Sequence, residues 1–219
     1  MTPDPVRMFT DRTEGYTRFI GAVLYPQGLR AFFRAAPFLR SGLKVLDAGC
    51  GTGVVTFGLH DALVRRGFTP GPMYAFDLTP AMLDRFRERL RAREITVELT
   101  QADVLHLSEL PEGWNEYDLV VSASMLEYIP RVQFSSALAG LRRLLRDDGR
   151  LILFITRRNW LTRPLIGRWW ASNLYGAAEL LDAFRTAGFH GAAFASFPLP
   201  FRYLATWGYV VVASNFASK

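Results

Sequence analysis

The chain has 219 residues, half of them hydrophobic and 21% charged, which is long enough for one α/β domain with a large core and too apolar for a disordered chain. No uninterrupted apolar run approaches the ~18 residues that a bilayer-spanning helix needs, and the single cysteine, Cys50, leaves no partner for an internal disulfide or a cysteine-based zinc site. The formal charge of +6 rests on 26 basic residues, of which only Lys44 and Lys219 are lysines; that skew reads as composition bias more than as a nucleic-acid surface.

Residues 1–42 read as a polar, aromatic-bearing helical cover, with one helix near 12–24 and a second near 27–39 that Ser41-Gly42 closes. The opening Met-Thr-Pro-Asp-Pro carries no basic-then-apolar leader, so a reducing, cytoplasmic setting is expected. Residues 43–155 then alternate. Strands are predicted at 44–48, 73–77, 95–100, 117–122 and 150–155, and helices at about 54–66, 80–93 and 133–146, with Gly67 and Gly149 as stops. Residues 156–174 form an arginine- and tryptophan-rich insertion, and 175–219 a C-terminal helix over 177–187 followed by two strand-like runs, Gly191–Phe197 and Thr206–Ala213. With no helix between them, those two runs should pair antiparallel. The pattern predicts a single α/β domain: a doubly wound, mostly parallel seven-stranded sheet with helices on both faces and a C-terminal antiparallel hairpin.

Ligands of such sheets sit at the carboxyl ends of the strands, so the residues after each strand carry the functional reading. After the first comes Val45-Leu46-Asp47-Ala48-Gly49-Cys50-Gly51-Thr52-Gly53. Its glycines let a ligand lie against the main chain, and the helix that follows offers unpaired N–H groups. A dinucleotide fingerprint would need glycine at position 54, where Val54 stands, and a phosphate-cradling loop would need a Gly-Lys-Ser/Thr run that the chain lacks. Asp47, two residues before the first glycine, repels a pyrophosphate and favours a cation.

Asp77 follows the second strand, 24 residues past Gly53, with two acceptor oxygens suited to the paired hydroxyls of a ribose. Thr79 and Pro80 suit the start of the next helix. Gln101-Ala102-Asp103-Val104 follows the third strand, where Asp103 also reads as a turn aspartate bonding its own backbone. Ser122-Ala123-Ser124-Met125-Leu126-Glu127-Tyr128 follows the fourth, while Asp118 at that strand's start reads as an exposed edge residue. The basic run Asp84–Arg91 reads as a solvated helix face.

The run V-L-D-x-G-C-G-T-G resembles the first motif of class I S-adenosylmethionine-dependent methyltransferases, of the small-molecule type, over about residues 43–155. The resemblance implies a Rossmann-like fold and S-adenosyl-L-methionine as cofactor, with S-adenosyl-L-homocysteine as product. It assigns Asp47, Ala48, Gly49, Cys50, Gly51 and Gly53 to the methionine end, and Asp77, Leu78 and Met82 to the ribose region. Ala102, Asp103 and Val104 fall to the adenine, and Ser122 to the floor. No metal is implied. The fourth motif lacks the two prolines of enzymes that methylate nucleobase amines, and no cysteine outside the glycine turn can serve pyrimidine carbon 5.

A general base is needed only if the acceptor must lose a proton; Glu127 and Tyr128 are the nearest candidates. The acceptor, a small or amphipathic, lipid-like molecule, is expected to meet the covers of the site, through Tyr16 and Tyr128 and through Arg157 and Trp160 of the insertion, with Phe9, Phe19 and Tyr25 closing over it. The same arginines and tryptophans suit a membrane surface, an RNA, or a lid whose aromatics cover the core. Two alternatives stay open: an RNA or protein methyltransferase, and a cofactor-binding domain without catalysis that acts through a partner.

Overall fold

Strand β1 (Val45–Ala48) is buried along its whole length, as a strand must be when helices cover both faces of a parallel sheet. It pairs in parallel with β2 (Met73–Asp77) on one side and β4 (Tyr117–Ala123) on the other. The computed structural model describes residues 21, 23–160, 162 and 172–215. Among them, seven strands form one sheet in the order β3-β2-β1-β4-β5-β7-β6, with β3 Glu98–Gln101, β5 Leu145–Thr156, β6 Gly191–Ala195 and β7 Gly208–Ser214. The strand order reverses between β1 and β4, and a crevice opens there at the carboxyl ends.

Alternation along the strands divides the core into two layers. Leu46, Ala48, Val120, Leu151 and Leu153 meet Leu138 and Leu141 of α4 (Phe134–Arg143) and Leu180 and Phe184 of α5 (Ala177–Thr186). Val45, Leu119, Val121, Ile152 and Phe154 meet Leu29 and Phe33 of α1 (Tyr25–Ala35) and Leu59 and Leu63 of α2 (Val54–Arg65). α3 (Pro80–Arg91) adds Leu83 and Phe86 to a smaller cluster with Phe57 and Ala75. The C-terminal hairpin is as expected: β7 runs antiparallel to both β5 and β6.

The element ends differ from the sequence reading for local reasons. α1 stops at Ala35 rather than 39 because Ala36 precedes Pro37 and takes an extended conformation, φ −69° and ψ 120°. β3 starts at Glu98 rather than 95 because Ile95 belongs to the end of α3: its N–H donates to the carbonyl of Leu90, with Glu94 left-handed at φ 55°. α4 ends at Arg143, not 146, since Leu145 already pairs with Tyr117 before the ladder shifts register and resumes at Leu119–Arg150.

Asp118 is not the exposed edge residue that its position suggested. Its carboxylate accepts from the Lys44 amide at 2.8 Å and from the guanidinium groups of Arg40 and Arg146 at 2.6 and 2.9 Å, with only 10% of the side chain exposed. It ties the amino-terminal ends of the strands together, opposite the crevice. The helix expected near 12–24 falls almost entirely outside the described residues.

Candidate functional site

The turn from β1 into α2 is held from below and left open above. The amides of Gly49 and Cys50 both donate to the carbonyl of Phe76 at 2.9 Å, pinning the turn to β2. Gly49 and Gly53 take φ of 74° and 80°, and a Cβ there would lie 2.4 Å from the Met125 side chain and 2.0 Å from the Phe86 ring. These two glycines answer to packing as much as to backbone. Gly51, at φ 51°, has nothing within 4 Å of where a Cβ would stand, and it lines the crevice.

Asp77 braces the turn from the side. One carboxylate oxygen accepts from the Gly51 amide at 2.7 Å and the other from the Thr79 amide at 2.9 Å. Lone pairs remain on both oxygens for a ligand. Burial raises its pKa above the usual carboxylate range, against the lowering effect of those amides.

Asp47 sits underneath. One oxygen accepts from the amide and hydroxyl of Thr56, at 3.1 and 2.6 Å, and so caps α2; the other is buried with no partner. Burial pushes this carboxyl up to about 7.

One crevice gathers Gly49, Cys50, Gly51, Asp77, Leu78, Met82, Ala102, Asp103, Val104 and Tyr128. Four other sequence-assigned residues, Asp47, Ala48, Gly53 and Ser122, stand behind or below the lining, and Ser122 is fully buried within the sheet. Asp103 keeps both of its readings: it lines the crevice, and it also accepts from the Leu105 amide at 2.9 Å in a turn of its own. Cys50 is a buried packing residue whose thiol burial pushes well above its usual range.

Glu127 is directed away from the crevice. Its two oxygens accept from the amide and hydroxyl of Thr156 at the end of β5, at 2.9 and 2.8 Å, and its carbonyl accepts from the Asn173 amide. It latches the loop after β4 to both ends of the insertion, and burial raises its pKa to about 7.

Arg157 and Trp160 also lie apart from the crevice: Arg157 stacks on the Tyr209 ring, and Trp160 is 84% exposed. Tyr16, Phe9 and Phe19 lie outside the described residues, whereas Tyr25 lines the rim.

Lining residues that the sequence reading did not assign include Phe76, Thr79, Ser124, Met125 and Ile129. Ser124, left-handed at φ 53°, marks where β4 turns out of the sheet and swings Met125 over Gly49. The available signal was position alone, immediately past the strand end.

Among the described residues the lining thus contains two carboxylates, Asp77 and Asp103, set among apolar walls, and no lysine, arginine or histidine. That charge pattern rejects a diphosphate and accepts a cation whose flat apolar part lies between Leu78, Met82, Val104 and Ile129. It fits a sulfonium-bearing adenosine. Among the described residues no group of three His, Cys, Asp or Glu side chains is placed to hold a metal.

Residues 45–149 match a sequence profile described as a methyltransferase domain. A highly reducing polyketide synthase of Cordyceps militaris is 33% identical over 117 residues, which cover 51% of this chain but 4% of that protein. A malonyl-[acyl-carrier protein] O-methyltransferase of Anoxybacillus flavithermus is 27% identical over 123 residues, covering 56% of this chain and 42% of that protein. The chain therefore spans a small part of the polyketide synthase and under half of the smaller relative. In fold, it superimposes on magnesium protoporphyrin IX methyltransferase of Synechocystis PCC 6803 in complex with SAM, with TM-score 0.67 and 19% identity, covering 99% of this chain and 98% of that one.

Proposed function

We propose that this chain is a class I S-adenosylmethionine-dependent methyltransferase, a reading supported by the methyltransferase-domain match over residues 45–149, and that it transfers the cofactor's methyl group to a small, amphipathic acceptor seated at the crevice rim. The observation that carries the reading is the lining itself: among the described residues, an acidic wall of Asp77 and Asp103 free of cationic side chains, continuous with a rim of Tyr25, Met125, Tyr128 and Ile129.

When bound, the cofactor supplies an electrophilic methyl group on a sulfonium. In this reading the Gly49–Gly53 backbone holds the amino-acid end, the free lone pairs of Asp77 take the ribose hydroxyls, and Asp103 with the Val104 amide meets the adenine. Asp47 acts one step back, fixing the turn through Thr56. The apolar rim strips water from the acceptor and keeps it aligned; holding reacting atoms about 3–3.5 Å apart in a dry site supplies rate without a base. Glu127, with both oxygens on Thr156, is the rim's support in this account rather than its base.

The relatives named for polyketide synthesis and for malonyl-carrier methylation support an acceptor of acyl or polyketide character. A lone buried cysteine suits work in the reducing cytoplasm, and among the described residues no helix is long and apolar enough to cross a membrane.

The test is incubation with methyl-labelled cofactor and cell extract, followed by partition of the label. Label in the small-molecule or lipid fraction is the expected result; label in RNA or protein fractions would contradict it.

A further inference from the structure

The amino-acid end of the cofactor carries a carboxylate beside its ammonium, and among the described residues the crevice lining offers two acids and no cation. An anion placed beside Asp77 needs a counter-charge. The structure provides one behind the wall. Arg89, on the face of α3 that turns towards the glycine loop, donates from Nη1 to the Thr52 carbonyl at 2.5 Å and to the Thr52 hydroxyl at 3.1 Å. Its guanidinium lies 4.8 Å from the centre of the Phe57 ring, on which Arg93 also stacks at 4.4 Å. Thr52 itself lines the crevice, between Gly51 and Val54.

Arg89 is half-buried, unlike Arg85, Arg87 and Arg91 of the same helix, which are exposed. A half-buried charge is screened less by salt and acts over a longer range than an exposed one. The side chain therefore departs from the solvated face that its sequence neighbourhood predicted, with its guanidinium held between the Thr52 carbonyl and the Phe57 ring.

We infer that Arg89 is a positioning residue for the carboxylate end of the cofactor, gripping Thr52 from behind the glycine turn and placing a positive charge where the described lining has none. The inference rests on the cofactor reading above and adds to it a residue outside the motif.

The experiment compares two ligands that differ in that end alone. Calorimetry measures S-adenosylhomocysteine, which has the amino-acid end, and 5′-methylthioadenosine, which lacks it, on the wild-type chain, Arg89→Gln and Arg89→Lys. Arg89→Gln is expected to weaken S-adenosylhomocysteine by about fivefold, less than a direct charge-assisted contact would give because Arg89 acts through Thr52, and methylthioadenosine by less than about twofold. Arg89→Lys, shorter but still charged, should give an intermediate ratio. Because both affinities come from one preparation, their ratio survives partial misfolding, and Arg89→Lys reports it even if Arg89→Gln does not fold. Equal losses for the two ligands, or a ratio unchanged in both variants, would overturn the inference while leaving the cofactor reading intact. A wild-type chain that binds neither ligand would overturn both.

Discussion

Asp47 and Asp77 occupy the ends of neighbouring strands, and both are driven by burial towards the neutral form, yet they do different work. Asp77 faces the crevice, whereas Asp47 faces the helix beneath it. The chain order alone distinguishes neither, since both stand just before a turn; strand alternation decides, directing Asp47 into the layer under α2 and Ser122 into the opposite layer. The glycine run and Asp77, legible from their place after a strand, stand on the crevice, whereas Asp47, assigned to the methionine end, and Ser122, assigned to the floor, lie in the layers behind it.

Asp47 titrates from 3.8 to about 7 on folding, so across that window the folded chain holds a proton that the unfolded chain has lost. Its contribution is full below pH 4 and disappears as pH rises through about 7. Asp47→Asn keeps an oxygen for both Thr56 contacts and removes the charge. It should raise stability at pH 8 by about 1–3 kcal/mol, and flatten the fall of the urea midpoint between about pH 4 and 7. A slope as steep as wild type would show that Asp47 does not carry it.

The glycines separate in the same way. Gly53→Ala meets the Phe86 ring and should abolish cooperative unfolding near room temperature. Gly51→Ala meets nothing, so it should cost only about 1–2 kcal/mol of left-handed strain, yet weaken cofactor binding by calorimetry. Equal effects of the two would contradict the division between packing and ligand contact. Asp77→Ala, finally, should reduce cofactor affinity by more than about tenfold through loss of charge-assisted bonds, with the sheet intact by circular dichroism.

At the scale of elements, two carboxylates act as latches. Asp118 fastens the amino-terminal ends of β1 and β4, and Glu127 fastens the loop after β4 to the last residue of β5. Neither was evident from spacing, because each partner lies far away in sequence: Lys44 for one, Thr156 for the other. The strands and helices themselves were legible from alternation and glycine stops; their ends were not, since they depend on a residue before proline at Ala36 and a left-handed Glu94.

Thr156→Val tests the second latch. It leaves one Glu127 oxygen buried without a donor, a loss of about 1–3 kcal/mol, and should loosen Tyr128 at the rim. Urea unfolding reads the first effect, and a raised acceptor KM with little change in cofactor affinity reads the second. Unaltered stability would mean that Glu127 is not held as a latch.

For the whole molecule, the reversal of strand order between β1 and β4 creates the crevice, and the alternation of elements from 43 to 155 was enough to predict it. The acceptor was less legible. The covers expected to choose it, around Tyr16 and through most of the insertion, fall outside the described residues, and the two insertion residues that were singled out, Arg157 and Trp160, stand away from the crevice.

Among the described residues, much of the basic charge is held in ion pairs. Arg40 and Arg146 are engaged by Asp118, Arg131 and Arg158 by Glu179, Arg87 by Asp84 and Arg185 by Asp182. Fluorescence anisotropy with single-stranded RNA should therefore show no binding at about 150 mM salt, where a true electrostatic footprint still holds. Tight binding that weakens steeply with added salt would restore the nucleic-acid alternative.

The central claim is that the acidic crevice beside the Gly49–Gly53 turn selects a sulfonium nucleoside over a diphosphate. Parallel calorimetric titrations of the purified chain with S-adenosylmethionine and with NAD test it most directly. Saturable one-site binding of S-adenosylmethionine and none of NAD is the predicted result; binding of NAD, or heat from neither, would contradict it.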